Sequence, residues 1–193
     1  MTTVVLFPGA GASRDQSTLV AIERALAPIQ CVRADFPYRT AGRRAPDRPP
    51  VLLRAVRDEA AAVVAAGERP ERVVLGGRSM GGRMCSMAVG DADDPLPAAG
   101  LVLISYPLHP PGKPDTLRVE HLGRLTVPCL LVHGTRDPFG SPDELQRWTA
   151  TIPGPVVHHW VEGGRHDLRG ADAEVSAVVR EFVTGRFVAG PPV

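Results

Sequence analysis

Gly77-Arg78-Ser79-Met80-Gly81 sets a serine between two glycines, with one residue separating it from each, after a short apolar run and before a helix-compatible segment. In that context of strand, sharp turn and helix, the turn holds the serine in a strained backbone conformation and presents its hydroxyl for nucleophilic attack. The glycines have a steric task, because a side chain at Gly77 or Gly81 would strike the neighbouring strand or helix. The bland alternative is a tight glycine-rich turn, or one that cradles phosphate. The context favours a nucleophile.

A serine hydroxyl is weak at neutral pH and needs a general base within hydrogen-bond reach and an acid to orient that base. With a serine on such a turn, the chain order is serine, acid, histidine. After Ser79 the sequence offers Asp137 in His133-Gly134-Thr135-Arg136-Asp137-Pro138-Phe139, then His166 in Gly163-Gly164-Arg165-His166-Asp167-Leu168. Six histidines compete for the role of base. His158 and His159 fall inside an apolar strand run and His133 at the end of another, where packing or structural hydrogen bonds explain them. His121 has no carboxylate placed for it, and His109 sits in a loop where it would line the pocket. Among the acids, Asp143 fits the start of a helix better than a triad, and Asp167 is too close to His166 in the chain to orient it easily. The oxyanion formed on attack needs preorganised N–H donors. Met80, at a helix amino terminus, supplies one. Ala10, in Pro8-Gly9-Ala10-Gly11-Ala12, is favoured for the second, although that loop also reads as a plain βα turn.

These residues need a scaffold that brings their loops together. Six short apolar runs, at 2–7, 29–34, 72–76, 101–105, 129–133 and 156–161, read as strands buried on both faces. Helical patterns fill 17–27, 51–66, 80–90, 142–151 and 171–184. In 51–66, Leu52, Val56, Val63 and the alanines share one side, while Arg54, Arg57, Asp58 and Glu59 fall largely on the other, and Gly67 closes the helix. Alternating strand and helix implies βα crossovers and a three-layer, doubly wound, mostly parallel six-stranded sheet. The proline-rich stretches 39–50 and 106–114 are expected as loops over the sheet's carboxyl edge, where such sheets place their ligand.

Composition narrows the classes. A chain of 193 residues fits one domain, and 44% hydrophobic residues with a net charge of +1 exclude intrinsic disorder and give no reason to expect nucleic acid as a partner. Three cysteines without a CxxC pair suggest neither a disulfide framework nor zinc, so no metal or other cofactor is expected. No apolar run is long enough to span a membrane and no basic region precedes the first strand, so a cytoplasmic protein is expected. A homodimer is compatible with these data.

Phe7-Pro8-Gly9-Ala10-Gly11-Ala12, Asp35-Phe36-Pro37-Tyr38, Gly76 to Arg83, Tyr106 to Pro114, His133 to Gly140 and Gly163 to Leu168 together resemble a small α/β-hydrolase family. It contains bacterial predicted hydrolases and the hydrolase-like domain of a chromatin-complex subunit, and is more distantly similar to dienelactone hydrolases. The resemblance covers nearly the whole chain and implies Ser79 as nucleophile, Asp137 as acid and His166 as base. Where such proteins commonly read His-Gly-Ala-Gly after the first strand, this one has Pro8-Gly9-Ala10-Gly11, a departure that bears on the shape of the oxyanion loop. The fold implied is a minimal, trimmed one without a cap domain, since only 106–128 is available where caps are commonly inserted. The expected pocket residues are Gly9, Arg78, Tyr106 and His109. Arg39, Arg43, Arg44 and Arg48, with Arg78 and Arg83 flanking the elbow, could receive an anionic group, although a solvated surface loop explains them as well. The expected activity is cleavage of a small carboxylic ester or thioester. The rivals are an acyltransferase using the same three residues, a small-molecule binder without turnover, and a non-catalytic interaction module that kept the fold.

Overall fold

The computed structural model describes residues 2–185. Six strands, β1 (Thr3–Phe7), β2 (Gln30–Arg33), β3 (Val73–Arg78), β4 (Gly100–Ile104), β5 (Cys129–Gly134) and β6 (Val156–Val161), form one sheet in the order β2-β1-β3-β4-β5-β6. Every pairing is parallel. In β1, β3, β4 and β5 the apolar runs are continuous because alternate residues go to opposite, equally dry faces, whereas the edge strands β2 and β6, expected to be buried on both faces, are largely half-buried. Val5, Phe7, Leu75, Leu101, Leu103 and Leu131 enter one core, and Val4, Leu6, Val74, Val102, Ile104 and Leu130 enter the other.

Helices α3 (Pro49–Ala65), α4 (Met80–Val89) and α5 (Pro142–Thr149) bury residues in the first core, while α1 (Ser17–Leu26) and α6 (Asp172–Val183) cover the second. The connection after β1 therefore leaves toward one face and the connection after β3 toward the other. This reversal between neighbouring strands opens a crevice at their carboxyl ends, the place where open α/β sheets bind ligands. Between β4 and β5 there is only one short 3-10 turn, Leu122–Arg124, and no cap is built there. Among the described residues, no helix is long and apolar enough to cross a membrane.

Two stretches differ from expectation. A short helix α2 (Pro37–Thr40) occupies the start of the proline-rich segment, and α3 begins at Pro49 rather than at 51. Both start on proline, which suits a first turn because its amides have no intrahelical partner and the ring presets φ. Helix α5 is held by a capping box between Ser141 and Glu144, with Asp143 a bystander in the first turn.

His121 and Ser86 show how the core handles a buried polar pair. The Ser86 hydroxyl donates to the Arg83 carbonyl at 2.9 Å and lies 2.8 Å from His121 Nε2, which in turn donates to it. Burial, reinforced by Arg83 and Arg124, pushes the His121 ring down to about 4. Burial also lowers His133 and His158. A depressed histidine pKa means the unfolded chain binds more protons below pH ~6.5, so stability falls as pH drops toward 4. Urea unfolding between pH 7 and 4 is expected to show this loss, and His121→Gln to flatten it by roughly 3 kcal/mol. An unchanged slope in the variant would remove His121 from the account.

Candidate active site

Strand β3 hands the chain to α4 through one residue. Ser79 has φ 49° and ψ −115°, its N–H extends the sheet by donating to the Ile104 carbonyl at 2.7 Å, and its carbonyl accepts from Arg83 N–H at 3.0 Å. The turn lies against β1 so closely that a Cβ built on Gly77 would sit 2.1 Å, and one on Gly81 2.3 Å, from the Phe7 carbonyl oxygen. Glycine is required at both positions by that approach, and at Gly77 also by its φ of 152°.

The loops after β5 and β6 bring up the other two residues. His166 Nε2 is 2.9 Å from Ser79 Oγ, and its Nδ1 is 2.8 and 3.0 Å from the two Asp137 carboxylate oxygens. An ionised carboxylate only accepts, so Nδ1 carries the hydrogen and Nε2 is left to accept from the serine. Ser79, His166 and Asp137 thus stand in one hydrogen-bonded line.

Each member is braced. Phe139 N–H donates to Asp137 Oδ1 at 2.9 Å, and the Phe139 ring stacks on the His166 ring at a centroid distance of 4.0 Å. Arg78 donates to the His166 carbonyl at 2.6 Å. Behind Asp137, whose side chain is fully buried, His133 Nε2 sits 3.4 Å from Oδ2 while donating to the Gly140 carbonyl at 2.9 Å. The two loops are fastened to each other by Thr135 N–H to Val161 O at 3.0 Å and Arg136 N–H to Gly164 O at 2.9 Å. A Cβ on Gly134 would lie 2.2 Å from the Gly164 oxygen, so this glycine sets how closely the loops that carry Asp137 and His166 approach. Motif reading passes over it because its partner is 30 residues away.

Across the crevice, the loop after β1 has most of its amides occupied. Gly9 N–H donates to Gln16 Oε1 at 3.3 Å, Gly11 N–H to the Tyr38 hydroxyl at 3.2 Å and Ala12 N–H to the Gly9 carbonyl at 3.1 Å. Among the described residues, no group accepts from the Ala10 or Met80 amide. Gln16 and Tyr38 thus hold the loop that follows Pro8.

Ser79, His166, Gly9, Ala10, Met80 and Arg78 line a cavity of about 610 Å³. Two residues expected there do not reach it. Tyr106 is buried and donates through its hydroxyl to the Arg118 carbonyl at 2.6 Å, and burial raises its phenol above the ordinary value. His109 turns away to the Pro110 carbonyl, 2.9 Å from its Nδ1, with Glu144 3.5 Å from its Nε2. Instead the cavity wall takes Arg83, Arg118 and Asp47, which motif reading did not single out as a group. The cysteines are no alternative nucleophiles, since burial pushes the thiols of Cys31 and Cys129 up to about 12 and that of Cys85 higher still.

Comparison with known proteins agrees with the architecture. An alpha-beta serine hydrolase homologue from Coxiella burnetii superposes with a TM-score of 0.75 at 16% identity, over 94% of this chain and 84% of that one. Est1E from Butyrivibrio proteoclasticus gives 0.72 at 15% identity, over 96% and 88%. The type II thioesterase BorB from the borrelidin biosynthetic cluster gives 0.68 at 16%, over 94% and 92%. At such identities the likeness is one of fold. The sequence model of a family described as an alpha/beta hydrolase domain matches residues 1–178, and with nearly its whole length inside that match the chain belongs to this family.

Proposed function

We propose that this α/β hydrolase is a serine hydrolase that cleaves a small carboxylic ester or thioester through an acyl-Ser79 intermediate. The observation that carries the reading is the line from Ser79 Oγ to His166 Nε2 at 2.9 Å and from His166 Nδ1 to Asp137 at 2.8 Å. His166 Nε2 takes the hydroxyl proton as Ser79 Oγ bonds to the scissile carbonyl carbon. The oxygen of that carbonyl becomes an oxyanion between the Met80 and Ala10 amides, neither of which has an acceptor among the described residues. Collapse breaks the bond to the alcohol or thiol, which leaves with the proton from His166. Water then attacks the acyl-enzyme, gives its proton to His166 and releases the acid, and the proton returns to Ser79. An uncapped cavity suits small substrates and leaves water free to enter for the second half. Likeness in fold to the type II thioesterase BorB supports the same chemistry.

Intact-mass spectrometry after exposure to a fluorophosphonate tests the reading, because the probe labels only activated serines. The expected result is one adduct on the wild type and none on Ser79→Ala. Folded wild-type protein that takes no adduct would overturn it in favour of the interaction-module alternative.

A further inference from the structure

The cavity beside Ser79 contains a charge that its own walls do not neutralise. Five charged side chains line it: Arg78, Arg83, Arg118, Asp47 and Asp167. Three of them are occupied. Asp47 is paired with Arg43 at 2.7 Å, Arg78 donates to the His166 carbonyl at 2.6 Å, and Asp167 accepts from Arg169 N–H and lies in the field of Arg78. Arg83 and Arg118 differ. Among the described residues neither has a carboxylate within 4.0 Å. The Arg83 Nε is buried and finds no acceptor. Among the described residues, the only side-chain hydrogen bond of Arg118 is a long one, 3.4 Å to the Pro107 carbonyl.

We infer that Arg83 and Arg118 form an anion subsite of this cavity, so that the ester or thioester it takes carries a carboxylate or phosphate a few bonds from the scissile carbonyl. The inference deepens the hydrolase reading and rests on it for the word substrate, though the subsite itself does not.

Placement supports it. Arg83 is four residues after Ser79, in the first turn of α4, its amide donates to the Ser79 carbonyl, and both residues line the same cavity. Arg118 arrives from the other side on a pinned backbone, its N–H bonded to the Leu108 carbonyl at 2.9 Å and its carbonyl to the Tyr106 hydroxyl at 2.6 Å. Tyr106 therefore acts on the pocket indirectly, by fixing the height of Arg118. Burial first, and then the charge of Arg83, push Arg118 below the ordinary arginine value. Two partly desolvated like charges with no counter-ion are unfavourable alone, and an anion between them relieves both terms. Guanidinium geometry matches the paired oxygens of carboxylate and phosphate. Asp47 Oδ2, buried and without a donor among the described residues, gives the cavity lining an acceptor for a hydroxyl or amide of the same molecule.

The test has two arms. The first compares kcat/KM of the wild type for the 4-nitrophenyl ester of glutarate, the matching ester of 4-phosphonobutyrate and the neutral 4-nitrophenyl valerate. An anionic ester is expected to be favoured by about tenfold to a hundredfold, with the advantage shrinking as salt is added. In R83Q/R118Q the ratio is expected to fall to about one, while Arg54→Gln, an exposed charge on α3 paired with Asp58, leaves it in place. The second arm titrates Ser79→Ala with glutarate and with inorganic phosphate by calorimetry, where binding is expected and is lost when R83Q/R118Q is added. The stronger ligand identifies carboxylate or phosphate. Equal rates on anionic and neutral esters together with no binding would overturn the subsite while leaving the hydrolase reading intact, and so would binding that survives R83Q/R118Q. Binding without turnover of any ester would do the reverse. The wild-type ratio needs no variant, so a double mutant that fails to fold does not shield the proposal.

Discussion

Replacing Ser79 with alanine is expected to lower kcat for the best ester by about a millionfold, leaving only what the oxyanion donors and substrate binding supply over water. No other group in the cavity is able to substitute. None of the three cysteines lines the cavity and all three thiols are held protonated by desolvation, and His166 loses with the hydroxyl the one nucleophile within reach of its Nε2. The same position makes a second, opposite prediction about stability. At φ 49° and ψ −115° a residue with a Cβ is strained, at a cost of order 1–3 kcal/mol. Alanine keeps that strain and glycine releases it. Ser79→Gly is therefore expected to be as inactive as Ser79→Ala yet more stable by about 1 kcal/mol in urea unfolding, allowing for the extra freedom glycine gives the unfolded chain. A variant that lost activity without gaining stability would mean that the elbow is not where strain is held. One that kept activity would move the nucleophile elsewhere.

The sequence discloses this site unevenly, and the reason is range. Ser79 is legible because everything that shapes its turn is within a few residues: the apolar β3 run, Gly77, Gly81 and the start of α4. Asp137 and His166 are legible because strand ends are, and in a wholly parallel sheet the loops after β3, β5 and β6 all open on one edge. The helix starts at Pro37 and Pro49 were harder, since proline in a polar stretch marks a loop as readily as a first turn. What could not be read is which side of a loop faces the cavity. Tyr106 and His109 occupy the right segment, but the chain from 106 to 118 folds back so that Leu108 bonds Arg118, which turns Tyr106 under the pocket and puts Arg118 into it. The closeness of Gly134 and Gly164 is hidden for the same reason, being a contact between loops with no periodic or local signature.

Asp137→Asn is expected to reduce kcat about ten-thousandfold while leaving the fold and the fluorophosphonate target in place. The loss follows from tautomer rather than from charge alone. The Asp137 side chain is fully buried, so no water enters to take over its contacts. An asparagine there keeps its carbonyl oxygen on the Phe139 amide, which now donates to Oδ1 at 2.9 Å, and so turns its NH2 toward His166 Nδ1. Facing a donor, Nδ1 must accept, and the ring hydrogen moves to Nε2. The nitrogen 2.9 Å from Ser79 Oγ then presents a hydrogen to the hydroxyl instead of a lone pair, and proton removal fails although the three residues still line up. His133 cannot repair this, because its Nε2 hydrogen is committed to the Gly140 carbonyl at 2.9 Å, while Asp137 Oδ2 lies 3.4 Å from the same nitrogen. Slow labelling at Ser79 alone, with unchanged thermal unfolding, is the accompanying signature. Should Asp137→Asn retain most of its rate while Asp143→Asn loses it, the acid would lie on α5. His166 would then have to leave the Phe139 ring on which it is stacked, and the packing that fixes its orientation would no longer explain the site.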